Sequence, residues 1–147
     1  MRRLFLLTIV AVVTVPGAPA LAGPKASAAD RAAARQTVER YSAALRREDW
    51  RSVCRYIAPG TKKFIIERVR EVKEIAVKRC ATAARLWINP VMGKMTITGV
   101  AKSKDPLNVS VEFADPRATY TTYSIYEYGK RWLLAGVVPG PPTSSDN

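Results

Sequence analysis

Histidine does not occur anywhere in the 147 residues. Its absence excludes Ser-His-Asp triads, Cys-His dyads and histidine-based zinc or iron sites at once. Cysteine is almost as scarce, with Cys54 and Cys80 alone, and no C-x-x-C pair that would suit dithiol redox chemistry. Acidic residues are outnumbered two to one, 12 Asp/Glu against 24 Lys/Arg. No apolar run approaches the roughly 20 residues that a membrane-crossing helix needs. The longest, Leu4 to Val15, stops at Pro16-Gly17. No cofactor-binding motif is visible, and none is expected.

That short run has its own meaning. Arg2 and Arg3 precede it, and Ala20-Leu21-Ala22 follows with the small-x-small pattern that a signal peptidase reads. The three parts together read as a secretory signal cleaved after Ala22. General secretion fits better than twin-arginine export, because the arginine pair lies almost at the first residue. No cysteine follows the cleavage point, so a lipid anchor there is not expected. The expected division is therefore a signal at 1–22, a short lead-in at 23–29, one domain at 30–138 and a disordered Pro/Ser-rich tail at 139–147.

With Arg2 and Arg3 removed, 22 Lys/Arg stand against 12 Asp/Glu, a net charge of +10. Such a surface favours anionic partners. For an exported chain these are an anionic envelope polymer or a membrane surface rather than nucleic acid. A solvated basic face with no specific partner is the plainer reading.

Helical periodicity governs the first half. Asp30 is placed to cap a helix carrying Ala34, Val38, Tyr41 and Leu45 on one side. Asp49 is placed to cap a second, with Trp50, Val53, Cys54 and Ile57 as its apolar side, ended by Pro59-Gly60. Thr61 opens a third, expected to run to about Leu86 on the stripe Ile65, Val69, Val72, Ala76, Cys80 and Ala83, with a break near Arg79 allowed for. After Asn89-Pro90 the period changes to that of strands: 95–101, 107–113, 118–128 and 131–138. Gly129-Lys130 suits a type II′ hairpin turn, which sets Glu127 opposite Trp132 and Ile125 opposite Leu134. Helices first and an antiparallel sheet after them make an α+β fold.

Cys54 and Cys80 each lie on the apolar stripe of their own helix, and the export signal puts them in an oxidising compartment. A structural bridge is therefore expected rather than a redox pair.

Residues Thr37-Val38-Glu39-Arg40-Tyr41-Ser42-Ala43-Ala44-Leu45, followed by Glu48-Asp49-Trp50, resemble the opening helix pair of the NTF2-like superfamily, which includes SnoaL-like cyclases and ketosteroid isomerase. Tyr123 to Leu134 is similar to that family's last hairpin. The cysteine in the second helix and its mate 26 positions on are like those of small exported actinobacterial members. The resemblance implies a curved antiparallel sheet wrapped around helices as a cone, often with a pocket, and sometimes a homodimer formed through the sheet.

The resemblance also places Tyr41 where ketosteroid isomerase has an oxyanion-binding tyrosine; that enzyme adds an aspartate base and a protonated aspartate. Here the position of the base falls among apolar Phe64 to Ile66, and that of the second carboxylate near Thr121 to Tyr123. A tyrosine alone cannot remove a carbon-bound proton near neutral pH. Tyr41 is thus read as a core residue with its hydroxyl satisfied, and Glu127 as a surface glutamate beside a turn. Tyr41, Trp50, Tyr56, Tyr123 and Trp132, with Tyr126, are the aromatic candidates for a pocket wall. The leading expectation is a non-catalytic domain that binds a small, partly apolar ligand or an anionic envelope partner. The alternatives are an enzyme of the same fold using Tyr41 and Glu127 for proton transfer, and a structural envelope accessory.

Overall fold

The computed structural model describes residues 25–102, 106–114 and 120–139. The signal segment and residues 140–147 of the tail lie outside the described residues.

The first helix, α1 (Ala28–Arg46), begins two residues before the expected cap. Ser27 is the N-cap, and Asp30 sits three positions on as its reciprocal partner: Asp30 N–H donates to Ser27 Oγ at 3.0 Å and Ser27 N–H to Asp30 Oδ2 at 2.9 Å. A serine with an acid three residues later satisfies two helix-end donors at once, which Asp30 alone as a cap does not. The lead-in is tied down as well, since Ala26 N–H donates to the Lys102 carbonyl at 2.8 Å.

At the other end, Glu48 takes the left-handed conformation at φ 52. Its N–H donates to Leu45 O, and Asp49 N–H to Ala44 O, both at 3.0 Å. These two bonds make a Schellman stop, with glutamate where glycine is usual. Asp49 then caps α2 (Trp50–Tyr56), accepting from Ser52 N–H at 3.1 Å. Hydrogen bonds from Ser52, through its side chain and its backbone, hold the Asp49 carboxyl below the usual range.

The third helical stretch differs from expectation. Pro59 does not end a helix but starts one, because its missing N–H costs nothing in a first turn. The helix α3 runs Pro59–Lys73, and Thr61 lies inside it rather than capping it. Its hydroxyl instead donates to the Ala135 carbonyl at 2.7 Å. Glu74 stops α3 at φ 54, and the chain turns through Val77 before α4 (Cys80–Trp87). The stripe therefore fails at Val72 and Ala76, and the break allowed for near Arg79 is present, over residues 74–79; Cys80 and Ala83 pack on the core from α4. Val72 is 54% exposed while Val77, off the stripe, is 3% exposed. Arg70 Nε donates to the Val77 carbonyl at 2.7 Å across this turn. A 3₁₀ turn, Pro90–Gly93, follows, with the Asn89 side chain as its cap.

Cys54 and Cys80 form a disulfide, joining α2 to the start of α4 with 6.1 Å between Cα atoms. The break after α3 allows it, since it brings the first residue of α4 back onto α2.

The sheet comprises β1 (Met95–Val100), β2 (Leu107–Phe113), β3 (Tyr120–Tyr128) and β4 (Arg131–Pro139), antiparallel in that order. The hairpin register is the expected one, with Glu127 opposite Trp132 and Ile125 opposite Leu134. Gly129 at φ 62 is the left-handed residue of its turn, as type II′ requires. Further along β4, Ser124 pairs with Gly136 and Ile125 with Leu134, so Ala135 is the extra residue of a bulge. The Ala135 carbonyl is the one that Thr61 binds.

Helices pack on one face of this sheet, making an α+β fold. Val38 and Leu45 of α1, Val53 of α2 and Val69 of α3 meet Leu107, Val109 and Ile125, all fully buried. Gly93 lets the 3₁₀ turn press against α1, where Ser42 Oγ and Arg46 Nη1 donate to its carbonyl at 2.7 and 2.9 Å. No helix among the described residues is long and apolar enough to cross a membrane.

Candidate functional site

A pocket of about 700 Å³ lies between α3, the end of α4 and the sheet. Its floor is Tyr41 from α1 and Tyr123 from β3, whose rings meet edge to face with centroids 5.8 Å apart. Ile57, Ile65, Ile88, Met92 and Leu134 supply apolar wall, and the bulge at Ala135-Gly136 closes the sheet side. Phe64 and Trp87 stand at the rim, 54% and 39% exposed.

The two floor tyrosines are 6% and 3% exposed. Among the described residues, no hydrogen bond joins either hydroxyl to another protein group, and no fully buried side-chain oxygen or nitrogen lacks a partner. The hydroxyls are therefore not sealed in protein, and the space they reach is the pocket. This differs from the expectation that packing would satisfy Tyr41. The wall leaves room beside the ring, so no acceptor comes within reach. Burial pushes the Tyr41 hydroxyl far above the ordinary phenol range. Tyr123 is raised in the same way, first by burial and then by the neighbouring Tyr41. Both are neutral at any physiological pH, and each offers an O–H to donate.

Among the described residues, one ionisable group besides these phenols lines the pocket, Arg68. Its guanidinium lies 5.9 Å from the Trp87 ring centroid, a cation–π arrangement. Arg68 Nη1 also donates to Glu71 Oε2 at 3.0 Å, on the exposed side. Among the described residues no carboxylate lines the pocket.

The other candidates are placed elsewhere. Trp50 lines a separate cleft of about 520 Å³ between the α1–α2 turn and α4, with Glu48, Asp49, Arg51 and Arg85. Tyr56 and Trp132 are half-buried against the core and do not line the Tyr41 pocket. Tyr126 is exposed on β3. Glu127 is exposed beside the Gly129 turn, because the hairpin tip projects past the helices that cover the rest of the sheet. Among the described residues no group of three Asp, Glu or Cys side chains is arranged to hold a metal ion.

Of the residues that line this pocket, the sequence marked only Tyr41 and Tyr123 as pocket wall; Arg68, Trp87, Asn89 and Met92 are among those it did not. Phe64 and Arg68 are four residues apart on α3, so they share a side, but that spacing looks the same on any solvated helix. Trp87 and Asn89 reach the pocket only because α4 is a separate helix.

What the fold and site define is an α+β domain with a one-sided pocket, apolar in its walls and neutral at its floor. No family model, curated protein or solved structure matches the chain.

Proposed function

We propose that this chain is an exported, NTF2-like domain that binds a small, partly apolar molecule and does not transform it. Support for the family reading comes from the Tyr41-centred first helix, the helices-then-meander order and the pocket between them. Export is supported by the three-part N-terminal signal and by the Cys54–Cys80 bridge, which persists in oxidising compartments.

The observation that carries the binding reading is the Tyr41–Tyr123 floor. Two buried phenols without protein partners are ready to donate to a ligand oxygen, inside walls that favour apolar contact. The same floor weighs against the alternative of proton transfer. A phenol held neutral is no base near pH 7, and Glu127, the other weak catalytic candidate, stands outside the pocket wall. The basic exterior supports a secondary attraction to anionic envelope polymers, which salt would screen.

Calorimetry of the mature domain with a panel of small, partly apolar compounds bearing a carbonyl or hydroxyl tests the reading. Saturable binding, lost in Met92→Trp, is the expected result. Met92 is a half-buried side chain of the pocket wall, so a larger ring there takes up ligand space. Binding undisturbed by that substitution would remove the pocket from the reading. N-terminal sequencing of exported protein, expected to begin at Gly23, tests the signal.

A further inference from the structure

From the charge distribution of the wall we infer that the ligand is an anionic amphiphile: an apolar body in the pocket with a carboxylate or similar anion at Arg68. This inference rests on the pocket reading above and adds the chemical class. Three observations converge on it.

Among the described residues Arg68 is the single side chain in the wall with a full charge, and that charge is positive. A neutral ligand gives no use to it, a cationic one is repelled, and an anionic one gains a charge-assisted hydrogen bond. The guanidinium is also placed at the rim. It lies over the Trp87 ring, 5.9 Å from the centroid, where an arginine fork can bind a carboxylate through two parallel bonds. Finally, Glu71 does not occupy that fork in a costly way. The Arg68–Glu71 pair is exposed, with side chains 44% and 62% accessible, and exposed pairs contribute little. A ligand anion approaching from the pocket side replaces Glu71, or shares the fork with it, at small cost.

The geometry orders the ligand along one axis. The anion sits at the rim between Arg68 and Trp87, the apolar body lies on Phe64, Ile65 and Met92, and any acceptor on the far part reaches the tyrosine floor. Among the described residues no carboxylate in the wall competes for the arginine from inside.

The test compares three monomeric probes below their micelle concentrations: dodecanoate, dodecanol and dodecyltrimethylammonium. Each is titrated calorimetrically into the mature domain with its disulfide intact. Dodecanoate is expected to bind about tenfold more tightly than dodecanol, the size of one charge-assisted hydrogen bond, and the ammonium compound more weakly than either. In Arg68→Gln that preference should vanish, whereas Arg68→Lys should keep part of it and Glu71→Gln should increase it. Arg40→Gln, an exposed change outside the pocket with the same loss of charge, controls for long-range attraction and should leave the preference unchanged.

If dodecanol equals dodecanoate, or if Arg40→Gln erases the preference as fully as Arg68→Gln, the anionic assignment is overturned while pocket binding stands. If no probe binds, or Met92→Trp leaves all three unaffected, both readings fall together. Sedimentation with phosphatidylglycerol vesicles separates the sources. Arg68-dependent association would mean that the amphiphile is drawn from a bilayer, and binding to monomers alone would mean a free acid.

Discussion

Tyr41 and Tyr123 come from opposite layers of the fold and meet edge to face, 5.8 Å between ring centroids. Phe113 on β2 extends the contact, its ring 6.4 Å from that of Tyr123. Aromatic pairs in this geometry contribute about 0.5–1.5 kcal/mol beyond area burial. The pair joins α1 to the sheet and forms the pocket floor, so stability and recognition draw on the same two side chains.

Alkaline pH should destabilise the protein through these two tyrosines. The fold keeps both phenols neutral, whereas in the unfolded chain they ionise near pH ~10. Below that value both states hold the protons and the pair adds no pH dependence. Above it the unfolded chain loses protons that the folded one keeps, so stability falls as pH rises. Tyrosinate absorbance should show a late step that coincides with the loss of far-ultraviolet dichroism. The double variant Tyr41→Phe, Tyr123→Phe should lose that late step; its persistence in the double variant would contradict the burial.

The bridge between Cys54 and Cys80 spans 26 positions of sequence. Closing a loop of this size in the unfolded chain is worth about 3.5 kcal/mol in the chain-entropy model. Replacing both cysteines with alanine should lower the urea midpoint accordingly, because a small domain holds only about 5–15 kcal/mol in total. Thiol titration of the denatured, unreduced protein should find no free thiol.

Glu48→Gly should stabilise the protein by about 1 kcal/mol. The left-handed backbone at φ 52 costs a residue with a side chain roughly that much, and glycine avoids it. Part of the gain is offset by the greater freedom of glycine in the unfolded chain. A lower midpoint in denaturant would show that the Glu48 side chain contributes more than its backbone costs.

Gly93→Ala should act in the opposite direction. A Cβ there would lie 2.9 Å from the Arg46 backbone nitrogen, the Leu45 Cβ and the Ser42 carbonyl oxygen. Two of these three atoms are backbone, so α1 or the 3₁₀ turn must shift. A loss of about 1–3 kcal/mol is expected. It should be accompanied by weakening of the Ser42 and Arg46 hydrogen bonds to the Gly93 carbonyl, visible as faster exchange in that turn.

Local patterns carried much of the fold into the sequence. The alternation of Val109, Val111 and Phe113 with Ser110 and Glu112 marked β2 as a half-buried strand, and Gly129-Lys130 defined both the turn and the register that opposes Glu127 to Trp132. These are short-range rules, in which a period of two or a glycine before a strand acts within a few residues. With only two cysteines the bridge had a single possible intramolecular pairing.

The tertiary structure decided what distance along the chain conceals. The stripe from Ile65 to Ala83 reads as one helix because periodicity does not register a left-handed stop at Glu74; the bridge to α2 and the burial of Val77 favour two helices instead. That break carries Trp87 to Arg68, and with it the rim of the pocket. Tyr41 shows the same division. Its place on a buried helix face was written in the spacing of Val38, Tyr41 and Leu45. Whether its hydroxyl would meet a protein acceptor or open space depended on α3, α4 and β4 packing around it, since burial is set by the neighbours that arrive and not by the residue itself.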